Sequence, residues 1–382
     1  MIPFNKAFFA ENAFGLLDKF KAEDKLFRTR EYSARCIDLL SQLNGLSPTY
    51  LAKSCTQALE LSSLLIDIRP GDEIILPSFA YVSCATSFVL RGARCCFVDI
   101  DPKTMNISVP SVAQAISPRT KAIIVINYGG IGCDFDPLQE ISRSTGIPII
   151  EDNAMGLYGS YKDRALGTFG DLSTVSFDHL KIVSCGEGGA LFINNDNFLD
   201  SLKVIYENGT NKSDFIAGKV EKYEWKALGS NYHLSEILSC ILFQQLSQSK
   251  EIVELRKRNW SVYSNAFLDL ERSEHIELLQ VPSHCEHNGH TFLIKVSDAE
   301  TRSQLMKFLN EIEIETTFHY TPLHKSEFGI KSGNFIGEDI HTTKDSLRLL
   351  RLPLYHGISD ADMEKVVSSV YSFFVGRKKI KI

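Results

Sequence analysis

Apolar and polar positions along this chain fall into short blocks whose period changes. Apolar runs bounded by turn signals stand at Glu73–Leu76, just after Pro70-Gly71-Asp72, and at Cys95–Val98, Ala122–Ile126, Ile147–Ile150, Ser173–Phe177 and Gly189–Ile193. Their length and flanks predict buried strands. Helix-like stretches lie between several of them, such as Gln57–Ile68 and Pro137–Thr145. Buried strands alternating with helices predict an α/β fold with a large, mostly parallel sheet. Ser173–Phe177 and Gly189–Ile193 lie too close for a helical crossover, so that pair is expected to be antiparallel and the sheet mixed.

A helical zone from Leu234 to about Leu268 predicts a bridge between two domains. Beyond it the texture changes. His290–Val296 and Glu313–His319 predict strands, Ser303–Glu311 a helix, and Asp360–Phe373 a closing helix. The expected division is a large α/β domain over residues 1–245 and a smaller C-terminal α+β domain over 246–382. A chain of 382 residues is long for one simple core, which agrees with that division.

Composition narrows the classes. With 44% hydrophobic and 23% charged residues the chain reads as soluble and globular. A net charge of −6 gives no basic surface, so nucleic acid is not an expected partner. The short tail Arg377-Lys378-Lys379 reads as a solvated end. Nine scattered cysteines without a C-x-x-C spacing fit a reducing cytoplasm rather than a disulfide framework. The start, with Glu11 and Asp18 close behind it, lacks the regions of a signal peptide. No apolar run approaches the roughly 18 residues of a membrane helix, so no membrane partner is expected.

Three cofactors suit such a sheet. A nicotinamide or flavin site calls for G-x-G-x-x-G after the first strand, and a nucleoside triphosphate site for G-x-x-x-x-G-K-[ST]; the chain has neither. Pyridoxal phosphate calls instead for a Schiff-base lysine, an acid for the pyridinium nitrogen and a phosphate cup. Lys181 follows the strand Ser173–Phe177 and precedes Gly186-Glu187-Gly188-Gly189. The end of a strand is where α/β sheets hold ligands, and the glycines permit a tight turn and close approach. Asp152 closes the run Ile147–Glu151; a carboxylate there either caps a turn or keeps a pyridine nitrogen protonated. Ser54-Cys55-Thr56-Gln57 opens a helical pattern, either as a simple N-cap or as an anion site. Tyr81 lies just beyond Glu73–Leu76, placed either in the core or against a flat ring.

In these residues the chain resembles the DegT-type sugar-nucleotide aminotransferases, a family of fold-type I pyridoxal-phosphate enzymes. The resemblance covers nearly the whole chain. It rests on Ser176-Phe177-Asp178-His179-Leu180-Lys181 with Gly186-Glu187-Gly188-Gly189, on Glu151-Asp152-Asn153-Ala154-Met155, on Ser54-Cys55-Thr56 and on Gly229-Ser230-Asn231-Tyr232. Further stretches resemble the subgroup acting at C4 of dTDP-4-keto-6-deoxyglucose, as in enterobacterial common antigen synthesis; they include Leu90-Arg91-Gly92-Ala93, Lys222-Tyr223-Glu224-Trp225 and Phe318-His319-Tyr320-Thr321-Pro322-Leu323-His324.

The resemblance implies a cytoplasmic homodimer with its active sites at the interface, binding pyridoxal 5′-phosphate. It implies amino transfer from glutamate to the 4-keto carbon of a dTDP-linked 4-keto-6-deoxyhexose for a surface glycan. Lys181 would form the Schiff base and move the proton, Asp152 would pair with the pyridinium, and Tyr81 would stack on the ring. Thr56, Gln57 and Ser176 would hold the phosphate, with Asn231 from the partner chain. Three positions and one segment differ from the family pattern: Met155 stands where a glutamine touches the cofactor's phenolic oxygen, Asp178 and Asn127 replace histidines, and residues 27–32 replace a glycine-rich loop. A thioether accepts weakly and donates nothing, so the Met155 change removes a hydrogen bond.

Two other readings stay open: amination at C3, and a non-catalytic regulatory protein that binds the cofactor. Both substrates are anionic, so an acidic protein needs a local positive field, for which Arg28, Arg30 and Lys212 are candidates. His284, His287 and His290 cluster in sequence, but no second ligand pair accompanies them, and no metal site is expected.

Overall fold

The computed structural model describes residues 1–10, 13–23, 29–45 and 48–376. Its strands, in chain order, are β1 (Thr49–Ala52), β2 (Glu73–Pro77), β3 (Arg94–Val98), β4 (Thr120–Ile126), β5 (Ile149–Asp152), β6 (Ser160–Tyr161) and β7 (Arg164–Ala165). They continue with β8 (Leu172–Ser176), β9 (Gly189–Ile193), β10 (Glu277–Leu278), β11 (Cys285–Glu286), β12 (Phe292–Lys295), β13 (Gly333–Phe335) and β14 (Leu349–Leu352).

Eight of these form one sheet in the order β1-β9-β8-β5-β4-β2-β3-β13. The pairs from β8 through β5, β4 and β2 to β3 are parallel, as is β3 with β13. β9 runs against both β8 and β1, with Ser176 opposite Gly189. The mixed, mostly parallel α/β sheet is thus the expected one, antiparallel pair included. Its central strands are buried on both faces, which explains why they read as continuous apolar runs rather than alternating ones.

A smaller antiparallel sheet, β10-β12-β14, backs a second core. The helices Ser249–Arg272, Ala299–Glu311 and Asp360–Val375 cover it, with Tyr263, Phe267 and Phe292 packed between them. The chain crosses a division after residue 245 twice. Ile2 is buried in the second core and paired with Ile314, and β13 is the hydrogen-bonded edge of the large sheet.

Three expected elements differ in detail. The zone from Leu234 to Leu268 is two helices, Glu236–Ser247 and Ser249–Arg272. Between them Gln248 leaves helical geometry at φ −111° and ψ 3°, and Ser249 turns its hydroxyl to the carbonyl of Leu246. Glu313–His319 forms only isolated bridges, from Ile314 to Ile2 and from Thr317 to Arg351 of β14, because it pairs at one residue each with two different segments rather than along either of them. The run Ile147–Ile150 starts its strand two residues later, so β5 carries Glu151 and Asp152 to its end. Among the described residues, no helix is long and apolar enough to cross a membrane.

Candidate active site

The ends of β4, β5 and β8 open onto one cavity of about 610 Å³, lined by Lys181, Asp152, Thr56, Tyr81, Ser176 and Met155 among others. Six of the eight expected site residues therefore converge on it.

Asp152 is the last residue of β5 and 5% exposed. Its Oδ1 accepts the Ala154 N–H at 3.0 Å, and its Oδ2 accepts the Cys84 thiol at 2.7 Å. Its neighbour Glu151 points to the other face, as strand alternation requires. There it accepts the N–H groups of Gly167, Phe169 and Gly170 at 2.9, 2.6 and 2.7 Å, and Asn127 Nδ2 at 3.1 Å. Burial raises the Glu151 pKa while these bonds pull it down. Asn127 also donates to Asn153 Oδ1, so its side chain belongs to the network behind the strand rather than to the cavity lining.

Lys181 lies in the loop that joins β8 to β9. The loop is folded on itself: the Lys181 N–H meets the Asp178 carbonyl at 2.9 Å, and the Asp178 carboxylate accepts the Leu180 N–H at 3.0 Å. Its return needs Gly186, at φ +90°, a conformation that disfavours other residues. Gly189 answers a second need. A Cβ there would lie 2.4 Å from the Ser54 carbonyl carbon, so only glycine lets β9 start against the helix Cys55–Leu65.

That helix is capped by Ser54, whose Oγ accepts the Gln57 N–H at 3.1 Å. The N–H groups of Cys55 and Thr56 find no protein acceptor among the described residues. With the Ser176 hydroxyl they form the end of the cavity suited to an anion. Gln57 does not line the cavity: its N–H serves the cap, and its Oε1 is buried without a partner. Asn231 is absent from the lining too. It opens onto a separate cavity of about 660 Å³ with Arg30 and Lys53, which meets the first at Glu187. Lys212 is exposed and lines neither cavity, and Arg28 lies outside the described residues.

Met155 is buried, and its sulfur accepts the Gly129 N–H at 3.5 Å. Tyr81 stands 59% exposed at the mouth, its ring 6.3 Å from that of Tyr320.

The far wall holds residues that sequence reasoning gave no role: Cys84, His290, His319, Tyr320 and Arg351. Arg351 Nη1 donates to His319 Nε2, so that nitrogen must be unprotonated. The His319 proton then sits on Nδ1 and is donated to the Tyr128 hydroxyl at 3.1 Å. Burial, followed by Arg351 and Lys181, pushes the His319 pKa down to about 2. His290 is pushed well below its usual range by burial first, then by Lys181, Arg256 and Arg351. One signal for this wall was available: an arginine inside Leu349-Leu350-Arg351-Leu352, an otherwise apolar strand. The histidines of residues 284–290 part company: His284 packs on Tyr161, His287 on Trp260, and His290 faces the cavity.

Residues 41–371 match the DegT/DnrJ/EryC1/StrS aminotransferase family. The spore coat polysaccharide biosynthesis protein SpsC of Bacillus subtilis is 28% identical over 347 residues, 87% of each chain. The aminotransferase TlmJ of Streptoalloteichus hindustanus is 27% identical, covers 98% of each chain and superposes with a TM-score of 0.88. The pyridoxal-phosphate form of the putative sugar aminotransferase Spr1654 of Streptococcus pneumoniae is 21% identical, with a TM-score of 0.88 over 97% of this chain and 98% of its own. The chain therefore belongs to the DegT/DnrJ/EryC1/StrS aminotransferase family, whose cofactor is pyridoxal 5′-phosphate. The donor set described above fits that cofactor: a lysine, a buried carboxylate open to the cavity, and free N–H groups at a helix start.

Proposed function

We propose that this member of the DegT/DnrJ/EryC1/StrS family transfers the amino group of glutamate to the 4-keto carbon of a dTDP-linked 4-keto-6-deoxyhexose, supplying a surface glycan. The observation that carries the amino-transfer reading is the convergence of Lys181 and Asp152 on one cavity. The sugar nucleotide is supported by the family, by the polysaccharide role in the name of SpsC, and by the stretches that resemble the 4-keto subgroup.

Lys181 would hold the cofactor covalently, Asp152 would accept a hydrogen bond from its protonated ring nitrogen, and Thr56 and Ser176 would hold its phosphate. Bound pyridoxal phosphate supplies an electron sink that makes the hydrogen on the donor's α-carbon acidic. The Lys181 amine would take that proton from the donor's α-carbon as general base and, once protonated, would deliver it as general acid. In the second half-reaction the same amine moves the proton in the reverse direction, with the sugar's C4 as the receiving carbon. The Cys84 and Ala154 hydrogen bonds fix the Asp152 carboxylate that would take this role.

We further propose a homodimer. Phe215, Ile216, Tyr223, Trp225 and Leu228 are all more than 40% exposed on one excursion, Trp225 at 79%. Asn231 lies at its base, outside the chain's own Lys181 cavity. A second copy covering this patch would carry Asn231 toward a neighbouring phosphate, as the family resemblance implies.

The test is the visible absorbance of the protein loaded with pyridoxal phosphate, before and after glutamate. Loss of the long-wavelength band on glutamate, and its return on dTDP-4-keto-6-deoxyglucose, is the expected result. Return only with a 3-keto sugar nucleotide would move the reaction to C3, and a band indifferent to every amino acid would overturn amino transfer. Lys181→Ala should lose turnover by ~10²–10⁴-fold or more, and borohydride should then fix no cofactor to the chain.

A further inference from the structure

β1 is the outer strand of the large sheet, paired with β9 on one side only. The Ile193 N–H meets the Pro48 carbonyl at 3.1 Å. In an antiparallel ladder of that register the main-chain groups of Tyr50 and Ala52 turn inward to β9, and those of Thr49, Leu51 and Lys53 turn out. Two of the outward groups are covered: the Lys53 N–H donates to the Tyr232 carbonyl at 3.1 Å, and the Tyr206 hydroxyl donates to the Leu51 carbonyl. The Thr49 carbonyl and the Leu51 N–H, with only Tyr50 between them, find no protein partner among the described residues. Thr49 and Leu51 are 5% and 2% exposed, and the Thr49 hydroxyl is buried without a partner as well. Buried main-chain groups are ordinarily paired, so this gap in the ladder needs an occupant. Both residues line a pocket of about 300 Å³ that shares no residue with the Lys181 cavity. Its other walls are flat rings: Tyr50 and Tyr206 meet edge to face at 5.2 Å, and His233 stands 4.3 Å from Tyr206. Burial first, and then Arg30, pushes the His233 pKa down to about 4, so its ring is neutral at pH 7. Arg30 and Lys203 are exposed at the rim, and Arg30 also lines the neighbouring cavity that holds Lys53. A docking β-strand would need the Leu51 carbonyl and the Lys53 N–H too, and both are taken, so the open stretch suits a small ring rather than a peptide.

We propose that the pocket at the open edge of β1 receives the base of a nucleoside phosphate. A nucleobase sets a hydrogen-bond donor beside an acceptor on one flat edge, as thymine does with N3–H and O4. The base donates to the Thr49 carbonyl, accepts from the Leu51 N–H and lies against the Tyr50, Tyr206 and His233 rings. Its phosphates reach Arg30 and Lys203 at the rim. Lys203 has only the exposed Asp200 as partner, at 3.3 Å. Glu207, the acid of the pocket, accepts the Ser213 hydroxyl on Oε2 at 2.6 Å, which leaves Oε1 for a sugar hydroxyl. The nucleoside phosphate is either free nucleotide or the nucleotide end of the sugar substrate, and in the second case the inference rests on the sugar-nucleotide reading and deepens it.

The test is equilibrium dialysis of dTDP against the holoenzyme, which should bind it saturably. Tyr50→Leu keeps an apolar side chain and removes the ring, and should weaken dTDP by about tenfold. Arg30→Ala should weaken dTDP by about tenfold and leave thymidine unchanged. dTDP methylated at N3 has no proton for the Thr49 carbonyl and should bind the wild type about tenfold more weakly. Cofactor uptake is measured in parallel, so a misfolded variant is recognised, and the methylated ligand needs no variant at all. Competition between dTDP and dTDP-4-keto-6-deoxyglucose, with weaker binding of both in Tyr50→Leu, would identify the occupant as the substrate's nucleotide. Simultaneous binding of the two would identify it as a free nucleotide. Affinity for dTDP that ignores Tyr50→Leu and N3-methylation overturns the proposal, as does no binding at all; if the cofactor band still returns with the sugar nucleotide, amino transfer to it stands. Conversely, dTDP binding that depends on Tyr50 in a protein whose band no sugar nucleotide restores keeps the pocket and overturns the sugar-nucleotide reading.

Discussion

The thiol of Cys84 donates to Oδ2 of Asp152 across 2.7 Å, both residues buried in the lining of the Lys181 cavity. Burial first, and then the Asp152 charge, raises the Cys84 pKa well above its usual range, so the sulfur stays protonated and remains a donor. Replacing Cys84 by Ala leaves Asp152 with the Ala154 N–H alone. Loss of one hydrogen bond to a charged group costs ~1.5–3 kcal/mol, so cofactor affinity should fall by about tenfold or more. Cys84→Ser keeps a donor and should retain most of it. Titration of the protein with pyridoxal phosphate measures both, and equal affinity in Cys84→Ala would show that the thiol does not position the carboxylate.

Gly189 is fixed by contact rather than by a turn. A methyl group there would meet the Ser54 carbonyl carbon at 2.4 Å and the Cys55 nitrogen at 2.5 Å, both backbone atoms. Gly189→Ala must push β9 away from the start of the helix Cys55–Leu65. Overpacking of this kind costs ~1–3 kcal/mol, and it shifts the N–H pair proposed to receive the phosphate. The denaturation midpoint and cofactor affinity should fall together. A variant with lowered stability and intact affinity would separate the helix start from the phosphate site.

His319 couples the far wall to pH. Its folded pKa of about 2 lies below the usual value near 6.5, with burial the largest cause. A group depressed in this way gives stability that is present above the unfolded value and is lost as pH falls toward the folded one. Its share should therefore disappear progressively below about pH 6.5. Since the side chain is only partly buried by area, we expect about 1–2 kcal/mol between pH 7 and pH 5 after screening. His319→Gln can accept from Arg351 without titrating. Its stability should fall less steeply with acid than that of the wild type, as urea midpoints at several pH values would report; identical slopes would remove His319 from the account.

Trp225 tests the proposed dimer. It is 79% exposed, with Ile216 at 72% and Leu228 at 56% on the same excursion. A buried tryptophan at an interface centre is worth ≥ ~2 kcal/mol. Trp225→Glu should raise the dimer dissociation constant by more than about 30-fold at 1.4 kcal/mol per tenfold, measured by sedimentation. Cofactor should then be lost on dilution if Asn231 serves the neighbouring site. A Trp225→Glu protein that remains dimeric would move the interface elsewhere.

The near side of the site was legible because its signals are local. The apolar runs ending at Asp152 and Ser176, the Ser54 cap and the glycines before β9 each lie within a few residues of the group they position. Period, cap chemistry and turn chemistry act over that same range. The mixed sheet followed from the short gap between β8 and β9. Gln57 and Asn231 were placed by resemblance, and the fold takes the first away from the cavity and leaves the second in another one.

By itself, then, the sequence determined which strand ends carry Lys181 and Asp152, and that a helix starts beside them. Only the tertiary structure decided what faces them. Cys84, His290, His319 and Arg351 come from separate elements and meet because β14 and the segment before it pack back across the cavity. β13 joins the large sheet for the same reason, pairing with β3 far back in the chain. Such meetings depend on burying two apolar cores at once, and no local pattern records which distant residues that burial brings together.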